Sequence, residues 1–192
     1  MKRTEFSPSI ISRPVYAELQ SHGATPAIML AEGPGAEALI DLAGRDASVM
    51  DKAHVIYVPA GCDHGPTLQE LQPKFFHQAP SLAAAQERLT KALSDAQMGT
   101  QLYLAGTEGL IGRASALATS LGFPAGAIQA EHRGSIARPM QCVHCKGITE
   151  NVITDPFTCS HCGLTLFVRD HFSRRLGAFQ GVCVDAETPG VV

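Results

Sequence analysis

The chain has 192 residues, 45% of them apolar and 17% charged, which is ordinary for a globular protein and enough for one medium domain plus a small one. The net charge of −3 argues against a nucleic-acid-binding surface, and no apolar stretch approaches the length of a membrane span. The first residues lack the apolar core of a signal peptide, so we expect a cytoplasmic protein with reduced thiols.

Short apolar runs alternate with helical patterns between residues 26 and 133, which is typical of a parallel sheet covered on both faces. Residues 1–25, broken by two prolines and a glycine, predict an arm with little structure of its own. The predicted strands are 27–31, 53–58, 101–105 and 127–130, and the predicted helices are 36–42, 81–97 and 110–120. Residues 67–80 are ambiguous, with a further strand possible at 75–76.

Glycine-rich turns follow two of the predicted strands, where nucleotide phosphates bind in doubly wound folds. The first, Gly33-Pro34-Gly35, is a fragment of the dinucleotide fingerprint, and its proline removes a backbone donor. The second spans Gly106 to Gly109. We interpret both as tight turns and predict no cofactor-binding residue in this part of the chain.

The most specific motif is a pair of Cys-x-x-Cys sequences, Cys142 with Cys145 and Cys159 with Cys162. The two-residue spacing lets both sulfurs of a pair point into one turn, and two facing turns give a tetrahedron of sulfurs. Four thiolates suit zinc, with iron as the alternative, because both ions accept this shell. Free thiols or two disulfides are the readings without a metal.

Residues 134–192 form a module too small to bury a core alone, so metal binding would supply much of its folding free energy. The glycine after each pair, Gly147 or Gly163, suits a turn with positive φ. The histidines inside the pairs, His144 and His161, are not expected to be ligands because four thiolates fill the shell.

The flanks of the cysteine pairs carry weaker signals. Residues 131–140 predict a linker, and residues 164–168 predict a strand after the second pair. The basic stretch that follows, with Arg169, Arg174 and Arg175, is either a docking patch or a solvated face.

The two remaining cysteines predict no chemistry. Cys62 lies close in sequence to His64, but such neighbours rarely face each other productively. Cys183 is interpreted as a small apolar residue. We predict no catalytic residue in the chain.

The segment 101–133 resembles the last strand–helix–strand unit of the NAD(P)-binding domain in ferredoxin-reductase-type flavoenzymes. The resemblance covers roughly residues 26–133 and implies a parallel, Rossmann-like fold. The Cys-Gly-Pro-like turn of that family is replaced here by residues 105–109, and its phosphate turn is reduced to residues 32–35. The sequence therefore predicts a degenerate nucleotide-binding domain that binds NADPH weakly or not at all.

The whole chain, above all residues 140–147 and 172–187, resembles the small accessory subunit of bacterial dimethylamine monooxygenase. The resemblance implies a complex that demethylates dimethylamine to methylamine and formaldehyde with NADPH and O₂. It further implies that haem, FMN and an iron–sulfur cluster reside only on partner subunits, a haem-bearing subunit and a flavin/iron–sulfur reductase subunit.

Two other functions stay open at this point. A rubredoxin-like iron electron carrier would use the same four cysteines, although Val143 and Ser160 stand where rubredoxin-type turns often carry proline. A free-standing zinc-ribbon binding protein is the second alternative, which the acidic balance disfavours.

Overall fold

The computed structural model describes residues 12–186, which build two five-stranded sheets. The first sheet is entirely parallel, with the strand order β3-β2-β1-β4-β5. Its strands are β1 (Ala27–Glu32), β2 (Ala53–Val58), β3 (Phe75–Gln78), β4 (Gln101–Gly106) and β5 (Ile128–His132). The helices are α1 (Gly35–Arg45), α2 (Gly65–Glu70), α3 (Leu82–Ser94) and α4 (Glu108–Ser120). Within the described residues, none of the helices has the length and apolar character needed to cross a bilayer.

Helices bury both faces of this sheet, which explains the near-continuous apolar runs of its central strands. Met29 and Val55 point to one face and pack in a core with residues of α1 and α2. Ile28 and Ile56 point to the other face and pack in a core with residues of α3 and α4. The predicted fold class, a parallel α/β sheet with a four-cysteine module, is confirmed.

Helix boundaries follow capping side chains that the apolar pattern only partly revealed. The Ser81 hydroxyl accepts a hydrogen bond from the Ala84 N–H and starts α3 where the sequence predicts. The Thr107 hydroxyl accepts from the Leu110 N–H, so α4 begins two residues before the predicted start. The short helix α2 lies in the ambiguous stretch and was not predicted, whereas the possible strand at 75–76 is present as β3.

The N-terminal arm has no regular structure over residues 12–24, but it is anchored along its length. Leu19 is fully buried, and its N–H donates to the Glu131 carboxylate at 2.9 Å. The Tyr16 hydroxyl donates to the Glu108 carboxylate at 2.5 Å. At its start, the Ser12 hydroxyl donates to the backbone carbonyl of Asp170 in the second sheet. The arm therefore runs across both sheets and is called here the strap. Residues 1–11 of the predicted arm lie outside the described residues.

The second sheet, called here the four-cysteine sheet, has the order β7-β6-β10-β9-β8. Its strands are β6 (Arg138–Cys142), β7 (Ile148–Val152), β8 (Phe157–Thr158), β9 (Thr165–Ser173) and β10 (Ala178–Cys183). The prediction of a linker over 131–140 is wrong at both ends, because β5 continues to His132 and β6 starts at Arg138. The strand predicted at 164–168 extends through much of the basic stretch, and β10 was not predicted.

The two sheets are in contact through a close approach between the backbone of α4 and the backbone of the turn between β9 and β10. A Cβ atom on Gly112 of α4 would lie 2.5 Å from the carbonyl oxygen of Gly177, in the turn between β9 and β10. Gly177 adopts a positive φ of 64°, so both glycines are required by geometry. Nearby, Arg113 of α4 pairs with Glu150 of β7 at 3.5 Å. The four-cysteine sheet is thus packed against the start of α4.

Replacing Gly112 by alanine should destabilise the protein, because the new methyl group would push against the Gly177 backbone. Overpacking of this kind costs about 1–3 kcal/mol. Gly44, in α1, is the matched control: a Cβ there meets nothing within 4 Å. Gly44→Ala should stabilise by roughly 0.5–1 kcal/mol through helix propensity. Equilibrium denaturant unfolding measures both, and equal effects of the two substitutions would contradict the close contact.

Candidate functional site

The two Cys-x-x-Cys turns have the same backbone geometry. In the first, the Cys142 N–H donates to the Gly147 carbonyl and its own carbonyl accepts from the Lys146 N–H, both at 2.9 Å. In the second, Cys159 makes the equivalent bonds with Leu164 and Gly163, at 2.9 and 3.0 Å. β6 leads into the first turn and β8 into the second, so short strands aim both turns at each other.

Positive φ occurs at the residue directly after the second cysteine of each turn. Gly163 has φ 75° as predicted, but in the first turn Lys146 has φ 66°, and the prediction for Gly147 is wrong. Gly147 serves a different purpose, since a Cβ there would lie 2.5 Å from the His161 ring. Aligning the two turns cysteine by cysteine identifies Lys146 as the equivalent of Gly163, a signal available in the sequence.

The four thiol groups converge. The Sγ atoms of Cys142 and Cys162 are 3.8 Å apart, and those of Cys145 and Cys159 are 3.7 Å apart. All four Sγ atoms lie within 4.8 Å of one another. A tetrahedron with metal–sulfur bonds of about 2.3 Å has edges of about 3.8 Å. The predicted ligand residues are therefore brought together, and the cluster could hold a metal ion such as zinc or iron.

The environment of the cluster favours thiolates at one of its buried positions. Burial raises the pKa of the Cys159 thiol, but backbone N–H groups of Cys162 and His161 and neighbouring thiols outweigh burial and lower the pKa to about 6. Cys142 and Cys159 are buried, whereas Cys145 and Cys162 are partly exposed. One side of the cluster therefore faces the protein core and the other faces the surface.

The histidines inside the turns do not join the cluster. The Nε2 atom of His161 lies 2.9 Å from the carbonyl oxygen of Ile148, and the convergent group consists of the four cysteines alone among the described residues. This placement gives His161 the structural role of fixing the second turn against β7.

The basic stretch presents its arginines to solvent, as a docking patch or a solvated face would require. Arg169, Arg174 and Arg175 are exposed. Phe179 is different: it is fully buried, stacks edge-on against Phe172 at 5.0 Å, and belongs to the core of the four-cysteine sheet. An interface centred on Phe179 is therefore excluded by its burial.

A cavity of about 370 Å³, the crevice, lies at the carboxyl ends of β1 and β4, between the two sheets. This is the place where doubly wound folds bind ligands. The Glu32 carboxylate lines it and accepts a hydrogen bond from the Thr107 hydroxyl at 2.8 Å. Pro34, the residue before α1, offers no N–H there. A phosphate entering the crevice would meet a carboxylate.

The two arginines of the crevice are already paired. Arg113 contacts Glu150, and Arg138 contacts Asp170 at 3.7 Å while its guanidinium lies over the Phe179 ring. Burial lowers the pKa of Arg138 from its usual value, with Asp170 acting in the opposite direction. Each arginine therefore has a carboxylate beside it that offsets part of its attraction for a phosphate.

The other sequence candidates show no catalytic arrangement. The carbonyl of Cys62 accepts a hydrogen bond from the Tyr57 hydroxyl, and the His64 ring lies 4.0 Å from the Glu37 carboxylate. The Cys183 thiol donates to the Asp185 carboxylate at 2.7 Å. Each of these contacts ties a loop to the neighbouring structure.

Comparisons with known proteins match the chain in two sections. Residues 8–128 match the family described as dimethylamine monooxygenase subunit DmmA-like, N-terminal domain, and residues 139–182 match the C-terminal domain of the same description. A curated protein of Ectopseudomonas mendocina (strain ymp), the heme-dependent oxidative N-demethylase delta subunit, is 40% identical over 110 residues. That match covers 57% of this chain and 63% of the relative, so the chain spans less than two thirds of the relative's length.

One solved structure is also similar, that of full-length CYP116B46 from Tepidiphilus thermophilus. It is 18% identical, with a TM-score of 0.43, over 67% of this chain and 18% of that chain. A similarity at this level supports no conclusion about function.

We expect the protein to bind NADPH more weakly than a micromolar dissociation constant, which corresponds to roughly −8 kcal/mol. The reason is the Glu32 carboxylate, together with the paired arginines of the crevice. Calorimetric titration of the full chain with NADPH measures the affinity. The Glu32→Gln variant is the matched control, since it keeps the shape and removes the charge. Micromolar binding to the unaltered chain would make the crevice a nucleotide site.

Proposed function

Because the chain belongs to the family of DmmA-like subunits of dimethylamine monooxygenase, we propose that it is a non-catalytic subunit of an oxidative N-demethylase complex. The proposed reaction converts dimethylamine and O₂ to methylamine, formaldehyde and water, with two electrons supplied by NADPH. In this proposal a haem-bearing subunit and a flavin/iron–sulfur reductase subunit carry the redox chemistry. The main observation behind this proposal is that the similarity to the family covers both the N-terminal and the C-terminal domain.

The geometry supports an accessory role for this subunit. Four thiolates would fill a tetrahedral shell around a metal ion, leaving no open position for substrate or O₂. The crevice, where the fold would place a nucleotide, carries a carboxylate and pre-paired arginines. Both features favour a protein that organises partners over one that performs the oxidation.

We propose that the cluster holds structural zinc. The buried pair, Cys142 and Cys159, lies in the core of the four-cysteine sheet, so an ion bound there would cross-link the strands around it. Zinc has no redox chemistry, which suits a structural role. The domain organisation proposed with this site is an arm over 1–25, an α/β unit over 26–133 and a zinc module over 134–192.

A rubredoxin-like iron electron carrier remains the second candidate, and one observation favours it. Cys145 and Cys162 are partly exposed, so a redox-active ion would have two of its ligands near the surface where electrons could pass to a partner. The colour of the purified protein separates the two candidates, because ferric tetrathiolate absorbs visible light and zinc does not.

Elemental analysis of the purified chain should show about one zinc per chain. Cys142→Ser should abolish zinc binding and unfold the four-cysteine sheet, because metal binding of this kind contributes on the order of 10 kcal/mol to folding. Hydrogen exchange should show the first sheet still protected. Cys183→Ser is the matched control, since Cys183 lies in the same sheet but outside the cluster. Stoichiometric iron with a thiolate-to-iron absorption band would overturn the zinc proposal.

The complex should lose coupled activity without this subunit, and the subunit alone should show none. Dimethylamine-dependent NADPH oxidation by the partner subunits, measured with and without the chain, provides the test. Full activity without the chain would contradict the assembly role.

The joint change Arg174→Glu and Arg175→Glu should weaken assembly more than folding if these exposed arginines form bidentate hydrogen bonds with carboxylates of a partner. The control variant, Arg174→Lys with Arg175→Lys, keeps the positive charge but cannot form the bidentate hydrogen bond, and it should retain part of the affinity for the partner.

A further inference from the structure

A groove of about 690 Å³ lies at the opposite end of the first sheet from the crevice. It is bounded on one side by α3 and on the other by the amino-terminal halves of β2 and β3. We call it the basic groove. The residues that the argument uses are Lys52, His54, Lys74, Phe75, Arg88 and Lys91.

The basic groove exists because the helical cover stops short of the sheet edge. β3 is the edge strand and is paired with β2 alone. On the face that carries Ile56, the helices α3 and α4 pack against the more central strands. The register places Phe75 opposite His54 and therefore on this same face, where Phe75 stays 55% exposed. A strip of sheet surface is left open to solvent beside α3.

The charge of the basic groove is opposite to that of the chain. Four of its lining residues are cationic, namely Lys52, Lys74, Arg88 and Lys91, and one is anionic, Asp95, which pairs with Lys91 at 3.6 Å. The whole chain carries a net charge of −3. A local concentration of cations on an acidic protein attracts an acidic partner and repels a basic one.

An aromatic residue stands at the centre of these charges. The ring of Phe75 packs edge-on against His54 at 5.7 Å, and the ammonium group of Lys74 lies 5.4 Å from the Phe75 ring centroid. Burial above all, and then the positive charges of Arg88 and His77, lower the pKa of His54 from its usual value, which disfavours a charged ring. The floor is therefore apolar and aromatic while the rim is cationic, the pattern of a protein-binding surface.

We propose that the basic groove binds an acidic segment of a partner subunit that inserts an apolar or aromatic side chain against Phe75. The proposal rests on the proposed function, because it assumes that the chain assembles with other subunits. A second copy of this chain fits poorly, since a two-fold contact would set the cationic rims of both copies against each other. Charge complementarity thus favours an acidic partner protein.

The basic groove and the four-cysteine sheet lie at different ends of the strands of the first sheet. In a parallel sheet all amino ends share one edge, and the groove lies at that edge. The four-cysteine sheet packs near the start of α4, which follows the carboxyl end of β4. The basic groove therefore lies at the opposite end of the first sheet from the four-cysteine sheet, and a short segment seated in the groove would leave the exposed Arg174 and Arg175 uncovered.

Zero-length carbodiimide cross-linking of the purified native complex tests the contact, because this reagent joins lysine amines only to carboxylates in direct contact. Mass spectrometry should find Lys52, Lys74 or Lys91 joined to aspartates or glutamates within one short segment of one partner subunit. Lys146, exposed on the four-cysteine sheet, is the internal reference for nonspecific coupling. Groove lysines that couple no more than Lys146, or to carboxylates scattered over several chains, would overturn the proposal.

Substitutions in the basic groove provide a second, independent test of the proposal. The triple variant Lys52→Glu, Lys74→Glu and Arg88→Glu should weaken binding of that partner at least about tenfold, and more salt should weaken wild-type binding in the same direction. Phe75→Ser should also weaken binding while thermal unfolding shows an intact fold. The control variant, Lys52→Arg with Lys74→Arg, keeps the charge and should bind as wild type does.

The outcomes separate this proposal from the function it rests on. If the unaltered chain fails to join any subunit, the proposed function fails first. If it joins them and the groove variants join equally well, the basic groove is not the interface and this proposal fails alone. Sedimentation showing that the isolated chain dimerises, with Phe75→Ser restoring a monomer, would assign the groove to a second copy and overturn the proposal.

Discussion

The four-cysteine sheet is built around four sulfur atoms that lie within 4.8 Å of one another. Over residues 12–186 its buried core contains seven residues, and two of them, Cys142 and Cys159, are members of the cluster. A core of this size buries little apolar surface, and the metal ion proposed for the cluster would add its binding free energy to the folding of this sheet. The two turns that carry the sulfurs and the strands that lead into them are arranged around this convergence.

The four-cysteine sheet also forms one wall of the crevice at the edge of the first sheet. Because Gly112 and Gly177 allow backbone contact, β6 and β7 come close enough to wall the crevice at the carboxyl ends of β1 and β4. In a doubly wound fold this crevice is the usual ligand site. Here its cations are engaged with carboxylates of the four-cysteine sheet, and one of these pairs, Arg113 of α4 with Glu150 of β7, also links that sheet to the first one.

The sequence predicted best where local chemistry decides the structure. Apolar runs bounded by glycine and proline identified the central strands, the paired cysteines identified the candidate cluster, and the quoted C-terminal residues identified the family, which the comparisons confirm. Prediction failed where a distant partner decides. The strand β10 contains Gly181 and Gln180 and is a strand because β6 and β9 flank it. The full burial of Phe179 also depends on a distant residue, since the guanidinium of Arg138 in β6 lies over its ring. The basic groove has the same origin, since Lys52 and Arg88 meet only through the packing of α3.

The strap formed by the N-terminal arm has a consequence for the order of folding during synthesis. Its contacts reach across almost the whole chain: Leu19 bonds a residue 112 positions later, and Ser12 bonds one 158 positions later. The arm precedes both sheets in the chain and leaves the ribosome before them, whereas β5 and β9, which receive its contacts, emerge later. Contacts of such long sequence separation form late because loop closure must precede them. Residues 12–19 are therefore synthesised before the residues that bind them, and the strap is secured only after β5 and β9 have been made.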